Sequence, residues 1–317
     1  MTASVAGARG GRRERAPLRP QAGGKGSDMQ PTEKKSPTFK QELVAVFGKP
    51  VAENPTQPMV EAAFRRLGLD WRYLTVEVDP ADLGEAVRGA RAMGFAGFNC
   101  TIPHKVAVIP HLDGLGKSAE LMGAVNCVVR RGDQLIGENT DGKGFLKALE
   151  SRLAPARKRI VMFGAGGAAR AVGVELGLAG AAHLTVVNRD ERRGKELAEL
   201  LAARAGLSVD FVPWNRSFRV PEGSDIVINA TSIGLFPDTE ARLDLEIGSL
   251  GSGMVVADVI PNPPKTRLVR DAESRGCTVI DGLEMLVNQG VIGIKYWTGL
   301  DADPKVMRDA LLDIFGD

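Results

Sequence analysis

The chain has 317 residues, 44% of them apolar and 25% charged, a globular composition on a length that predicts two domains. Its net charge of +2 is uneven: residues 1–40 carry +6 and the remainder −4, so the folding part is mildly acidic and nucleic acid is not its expected partner. Cys100, Cys127 and Cys277 are scattered without CxxC spacing and the three histidines are isolated, which excludes a disulfide framework or a metal cluster.

Residues 1–40 are rich in Gly, Pro and Arg and poor in large apolar groups, so the reading there is a disordered basic tail. They contain no apolar h-region and are not a secretory signal. Either they target the chain or bind nucleic acid, or the start is over-long and Met29 is the alternative initiator. From Leu43, "LVAVFG" predicts a buried strand. "QPMVEAAFRRLGLD" predicts a helix with Met59, Ala62, Ala63 and Leu67 on one face and Gly68 closing it. "RYLTVEV" alternates as a strand, Asp79-Pro80 starts a second helix, and "FAGFNCTI" is the next strand. This alternation implies a small parallel α/β domain.

"AVNCVVRRGDQLIGENTDG" reads as a hairpin turning at Arg131-Gly132-Asp133, and "GFLKALESRLA" as a helix connecting two domains. A second α/β run follows: "RKRIVMFGAGGAARAVGVELGLAG", "HLTVVNR", a charged helix from Asp190 to about Arg204, then "SVDFVPW", "DIVINATS", "MVVADV" and "CTVI". Six strand candidates suit a doubly wound sheet. The stretch Ile160–Val187 is interrupted by Arg170, Glu175 and His183 and is not a membrane span. From Gly282 the chain is helical again.

The most informative motif is the buried strand that meets Gly164-Ala165-Gly166-Gly167-Ala168-Ala169 and passes directly into a helix. Gly164 permits the tight turn, Gly166 admits a pyrophosphate to the backbone amides, and Ala169 keeps helix and sheet close, with the helix N-terminus facing the phosphates. Gly-rich turns also occur for packing alone, but here the strand, the helix and the second strand are all in place, which predicts dinucleotide binding. An acid usually ends that second strand in NAD sites. Here Asn188-Arg189 stand there with Arg192 and Arg193 a turn later, which suits the 2′-phosphate of NADP, while Asp190 adds a charge beside it or serves as a helix cap. "GFNCTIPHK" places Asn99, Thr101, His104 and Lys105 where a half-buried strand runs out. Lys105 either snorkels to solvent or serves something that needs its charge. Taken alone, Asp141 of "GENTDGKGF" reads as an ordinary cap, and Gln289 as an exposed amide on a helix.

Taken in order, "VFGKPV", "NCTIPHK", "GAVNCVV", "GENTDGKGF", "GAGGAAR", "NR", "INATSIG", "DVIPNPPKT" and "DGLEMLVNQ" resemble the shikimate dehydrogenase family from Val44 to Gln289. The resemblance implies an N-terminal substrate domain over residues 41–141 and an NADP-binding Rossmann domain over 142–281. The helices of 282–317 would pack back on the former. It implies reversible NADP-linked reduction of 3-dehydroshikimate to shikimate, on the route to chorismate and the aromatic amino acids. By motif, Lys105 and Asp141 match the catalytic pair. Asn54 and Thr56 stand nearest the family's carboxylate-binding serines, and Asn99, Thr101, Asn126 and Gln289 match substrate contacts. Gly164, Ala165, Gly166, Gly167, Ala168, Asn188, Arg189, Arg193, Thr231, Ser232 and Gly282 fall on the cofactor positions. The residue types suit the chemistry: reduction of a ketone leaves an alkoxide that needs a proton donor, which an ammonium held by a carboxylate provides without a metal.

Two departures bear on the substrate. The family's "HSxSP" segment is "AENPTQP" here, one residue longer, with Glu53 poorly suited to a carboxylate if it turned inward. The tyrosine of "DVxYNP" is replaced by Pro261. The alternative within the class is a quinate/shikimate or other cyclic polyol dehydrogenase using NAD as well as NADP. A methylene-tetrahydrofolate dehydrogenase is opposed by "GAVN" with "NTDG", and a non-catalytic dinucleotide sensor by the presence of both Lys105 and Asp141. The expectation is a cytoplasmic enzyme of a small cyclic hydroxy acid, either a monomer or an oligomer such as a homodimer, with no nucleic-acid or membrane partner.

Overall fold

The computed structural model describes residues 39–315, so the tail expected over residues 1–40 lies outside the described residues except for Phe39 and Lys40. The chain begins with β1 (Glu42–Gly48), α1 (Thr56–Arg66), β2 (Trp71–Glu77), α2 (Leu83–Ala92) and β3 (Gly97–Cys100). A four-residue α3 (His104–Ala107), β4 (Gly114–Leu115) and α4 (Lys117–Met122) precede the hairpin of β5 (Cys127–Arg131) and β6 (Gln134–Glu138). Next come α5 (Asp141–Glu150), β7 (Arg159–Phe163), α6 (Gly167–Leu178), β8 (His183–Asn188), α7 (Glu191–Ala205) and β9 (Val209–Pro213). The remainder is β10 (Ile226–Asn229), β11 (Val255–Asp258), α8 (Arg267–Ser274), β12 (Thr278–Ile280), α9 (Gly282–Thr298) and α10 (Pro304–Phe315).

The strands form two sheets. The first has the order β2-β1-β3-β5-β6-β4. Its β2, β1 and β3 are parallel, as the strand–helix alternation requires, and the hairpin continues it antiparallel through β5 and β6. The second sheet, β12-β11-β10-β7-β8-β9, is parallel throughout. Its β10 and β11 are buried along their whole length, the pattern of strands covered on both faces. Strand order reverses between β7 and β10, which opens a crevice at their C-terminal ends.

Local signals explain most elements. Helix α1 buries Met59, Val60, Ala63 and Phe64; the apolar face is turned slightly from the expected one, so that Ala62 and Leu67 sit at its edge. Gly68 follows with φ +68°, the left-handed conformation that ends helices. The strand read through Ile102 stops earlier, at Cys100, and Lys105 stands on α3. The stretch 215–250, apart from β10, has little regular structure. It is pinned by Trp214 Nε1 donating to Asp244 O at 3.0 Å and by the Trp214 ring against Phe163.

Helices α9 and α10 pack with α1 over the first sheet, in one apolar cluster with Val44, Phe64, Tyr73, Leu283, Ile294 and Met307. Helix α5 instead places Phe145 and Leu149 in the core of the second sheet. It crosses α9 so closely that a Cβ on Gly144 would lie 2.7 Å from both Met285 O and Gln289 N. On its other side a Cβ on Gly142 would lie 2.3 Å from Ala171 O of α6. These contacts are to backbone and cannot be relieved by a rotamer change. Gly144→Ala should therefore destabilise the chain by about 1–3 kcal/mol, the usual range for overpacking, read as a lowered denaturant midpoint; an unchanged midpoint would show that the two helices can part at no cost.

Candidate active site

Strand β3 ends in Asn99-Cys100, and the turn into α3 carries Thr101 and Lys105 to the rim of a cavity of about 240 Å3. The N-terminus of α1 brings Asn54 and Thr56, β5 is preceded by Asn126, α5 begins with Asp141, and α9 supplies Gln289; all line this one cavity. Every expected substrate residue thus reaches the same space from separate elements. Glu53 is exposed and takes no part, while Pro261 forms a wall.

Lys105 Nζ lies 2.6 Å from Asp141 Oδ2, and Asn126 Nδ2 donates to Asp141 Oδ1 at 2.8 Å. The lysine is not a solvent snorkel. Asp141 is the first residue of α5, where a carboxylate is favoured by the helix dipole. The capping is done by Asn139, whose Oδ1 accepts from Asp141 N at 3.1 Å. Cys100, also on the wall, is pushed up to about 12 by burial, so it presents a neutral thiol and not a nucleophile. His104, despite its place beside Lys105, is fully buried, with Nε2 donating to Val78 O at 2.8 Å.

The amides in the cavity have fixed orientations. A backbone carbonyl only accepts, so the Asn99 atom 2.9 Å from Asn126 O is Nδ2, and its Oδ1 must face Tyr73, whose hydroxyl donates to it at 2.6 Å. Asn126 is committed to the protein: Nδ2 also faces Thr140 Oγ1 and Gln289 Oε1, and Oδ1 accepts from Thr140 N at 2.7 Å. Gln289 Oε1 additionally accepts from Thr140 Oγ1, which leaves its amino group as the end that can serve a ligand. Asn54 Oδ1 accepts from Thr56 N at 3.0 Å, leaving Asn54 as a donor likewise. Sequence reading missed Tyr73, which it placed only within an alternating strand, and Thr140, whose role depends on Asn126 and Gln289.

Lys105 and Asp141 also border a second space of about 580 Å3, which runs past Ile102 and Met285 to Gly166 and Arg193. An adjoining groove of about 510 Å3 crosses Gly164, Ala165, Gly166, Gly167 and Ala168 and continues over Thr231 and Ser232, with Asn188 and Arg193 at its margin. Gly164 has φ +109°, and its Cβ would strike Ala230 O at 2.7 Å, so this turn requires glycine. A Cβ on Gly166 or Gly167 would touch no protein atom and would project into open space, and no acid occupies the first turn of α6. Bare amides at a helix N-terminus fit a pyrophosphate.

Two expected cofactor residues are not among those lining these two grooves. Arg189 does not border these grooves; its guanidinium lies 4.9 Å from the centre of the Trp214 ring. Gly282 borders a smaller recess with Asp141 and Pro261, and its bare Cα admits the backbone of Ile260, whose O a Cβ would meet at 2.1 Å. Asp190 is a helix cap, accepting from Arg193 N at 3.0 Å.

A doubly wound sheet with an amide-lined cavity beside its glycine-rich switch point defines a dinucleotide-linked oxidoreductase. Residues 46–128 match the shikimate dehydrogenase substrate binding domain, and residues 282–312 the shikimate 5′-dehydrogenase C-terminal domain. The shikimate dehydrogenase (NADP+) of Desulforamulus reducens is 39% identical over 86% of this chain and 95% of that protein. The ligand-free 5-ketofructose reductase of Gluconobacter sp. strain CHM43 is 52% identical with a TM-score of 0.86, covering 88% of this chain and 100% of that one. A shikimate dehydrogenase solved with NADP+ is 36% identical with a TM-score of 0.81, covering 87% and 96%. The chain belongs to the shikimate dehydrogenase family and is an oxidoreductase of that type.

The Tyr73 hydroxyl is the sole side-chain donor found on Asn99 Oδ1 among the described residues. Tyr73→Phe keeps the buried ring but leaves that oxygen without its partner. The KM for the carbonyl substrate should rise roughly 5- to 10-fold, as for one lost hydrogen bond, with the KM for the dinucleotide unchanged. Steady-state kinetics varying each substrate in turn checks this; equal effects on both would place Tyr73 in general packing only.

Proposed function

We propose that the chain catalyses reversible, NADP(H)-linked interconversion of a neutral polyhydroxylated ketone and its alcohol, with 5-ketofructose as the type of substrate. The observation that carries this is the composition of the cavity. Its only charged side chains, Lys105 and Asp141, are paired with each other, and its other polar groups are amides and hydroxyls suited to a substrate rich in hydroxyls. The 52% identity to 5-ketofructose reductase supports this reading. Residues 41–141 with 282–317 would form the substrate-binding part, and residues 142–281 the cofactor-binding part.

In this mechanism Asn99, Gln289 and Asn54 offer amide donors to substrate oxygens, and Thr101 and Thr56 offer hydroxyls. Lys105 Nζ holds the reacting oxygen and gives it a proton during reduction, or takes it during oxidation; Asp141 keeps the ammonium aimed and balances its charge. The bound nicotinamide supplies or accepts the hydride. Arg193 and Asn188 border the end of the groove where a 2′-phosphate would lie, with Arg189 on Trp214 close in sequence, which favours NADP over NAD.

The second reading is reduction of 3-dehydroshikimate to shikimate in aromatic amino acid synthesis, favoured by the curated relatives named shikimate dehydrogenase (NADP+). A carboxylate at the α1 end of the cavity would find one hydroxyl, that of Thr56, in place of the serine pair. Each bond to a charged group is worth about 1.5–3 kcal/mol, so shikimate should bind weakly. Assays with 5-ketofructose, shikimate, quinate and an inositol, each with NADP(H) and NAD(H), separate the readings. We expect kcat/KM for 5-ketofructose with NADPH to exceed that for shikimate with NADP+ by about tenfold or more; the opposite order returns the enzyme to shikimate. With the preferred substrate, Lys105→Ala should lower kcat by roughly 10²–10⁴ and leave NADP+ binding intact, and near-full turnover would remove Lys105 from the mechanism.

A further inference from the structure

Beside the cavity, strands β10 and β11 pair so that Asn229 and Asp258 are register partners at the two C-terminal ends. Both are buried, at 0% and 1% exposure. The loop after Asn229 carries Thr231 and Ser232, and the loop after Asp258 carries Ile260 and Pro261; together they form one wall of the groove that crosses the glycine turn. Pro261 borders the substrate cavity as well.

Asp258 Oδ1 accepts from Ile260 N at 3.0 Å, and Oδ2 accepts from Thr266 Oγ1 at 2.8 Å, which ties both ends of its own loop. Asn229 Nδ2 lies 3.1 Å from each carboxylate oxygen. Because a carboxylate accepts only, the Asn229 amide is oriented with Oδ1 toward the other loop. There it accepts from Thr231 N at 3.0 Å and from Thr231 Oγ1 at 2.7 Å. Thr231 Oγ1 in turn accepts from Ile233 N. One buried carboxylate therefore sets the amide that sets the second loop.

We propose that Asp258 is a positioning residue for cofactor binding, acting through Asn229 and Thr266 to hold the Thr231 and Pro261 loops at the spacing the dinucleotide requires. Nothing in the core needs a charge there. Burial pushes this carboxyl up to about 6, opposed by the donors from Asn229, Thr266 and Ile260, and no ionised side chain compensates it. A neutral apolar residue would suit packing alone better. Keeping a costly acid at the hinge of two loops is accounted for by the four bonds it accepts.

The inference rests on the reading of this groove as the dinucleotide site, and its test is direct binding of NADP+ to the substrate-free full chain by calorimetry. Asp258→Asn turns an acceptor into a donor facing Asn229. Thr266→Val removes one donor, and Thr266→Ser retains it. We expect the NADP+ Kd to rise about tenfold in Asp258→Asn and severalfold in Thr266→Val, with Thr266→Ser near wild type. At saturating cofactor, kcat should change less than about threefold. If Asp258→Asn does not fold, the Thr266→Val and Thr266→Ser pair carries the same comparison. A wild type that binds NADP+ with variants that only melt earlier, at unchanged Kd, overturns the proposal alone. A wild type that does not bind NADP+ overturns the groove assignment and the proposal together.

Discussion

The site depends on how closely helix α5 passes its neighbours. Two glycines, Gly142 and Gly144, let its first turn touch the backbones of α6 and α9 at once. That turn begins with Asp141. Helix α6 rises from the glycine-rich turn and α9 carries Gln289, so three elements that each hold part of the site meet at one crossing. A side chain at either glycine would have to push apart backbones, which close-packed interiors accommodate poorly. The pairing of Lys105 with Asp141 follows from this crossing, because Lys105 arrives from the first sheet and Asp141 is fixed by α5.

Around that pair, hydrogen-bond direction sets what the cavity offers. Asn126 lines the cavity, yet its amide is spent on Thr140, Asp141 and Gln289. That commitment orients Gln289, just as Tyr73 and Asn126 O orient Asn99. The cavity thus presents amide donors held by buried partners, a preorganised surface for hydroxyl and carbonyl oxygens. Beneath α5, Glu138 bonds Lys143, which also meets Tyr296 of α9, so the back of the helix is tied by charge where the front is free for chemistry. Burial works against the Lys143 ammonium, but Tyr296 and Glu138 outweigh it and raise its pKa.

At the cofactor end, the capping of α7 by Asp190 and the stacking of Arg189 on Trp214 divide the residues that the "NRD" run placed together. The carboxylate is engaged by a backbone amide and Arg193 faces the groove, so a negative charge next to the proposed 2′-phosphate position is partly answered by the cap it makes.

The elements and the glycine turn were legible in the sequence because they rest on short-range rules: period, turn residues, and a strand that runs directly into a helix. The linked motifs in order carried the family, and with it the candidate residues. What lay beyond reach was every relation set by a partner from far along the chain. Lys105 meets Asp141 thirty-six residues on, and Asn126 meets Gln289 one hundred and sixty-three residues on. Tyr73 reads as one position of an alternating strand until Asn99 is found against its hydroxyl, and Asp258 as a strand end until Asn229 is found beside it. Arg189 in turn lies over the face of Trp214, which the fold itself holds against the distant Asp244 and Phe163. The sequence alone determined which chemistries were present and roughly where along the chain. The tertiary structure decided which groups remain free for a ligand, because an amide or a carboxylate has few hydrogen-bonding positions and the fold fills them with whichever partners it brings near.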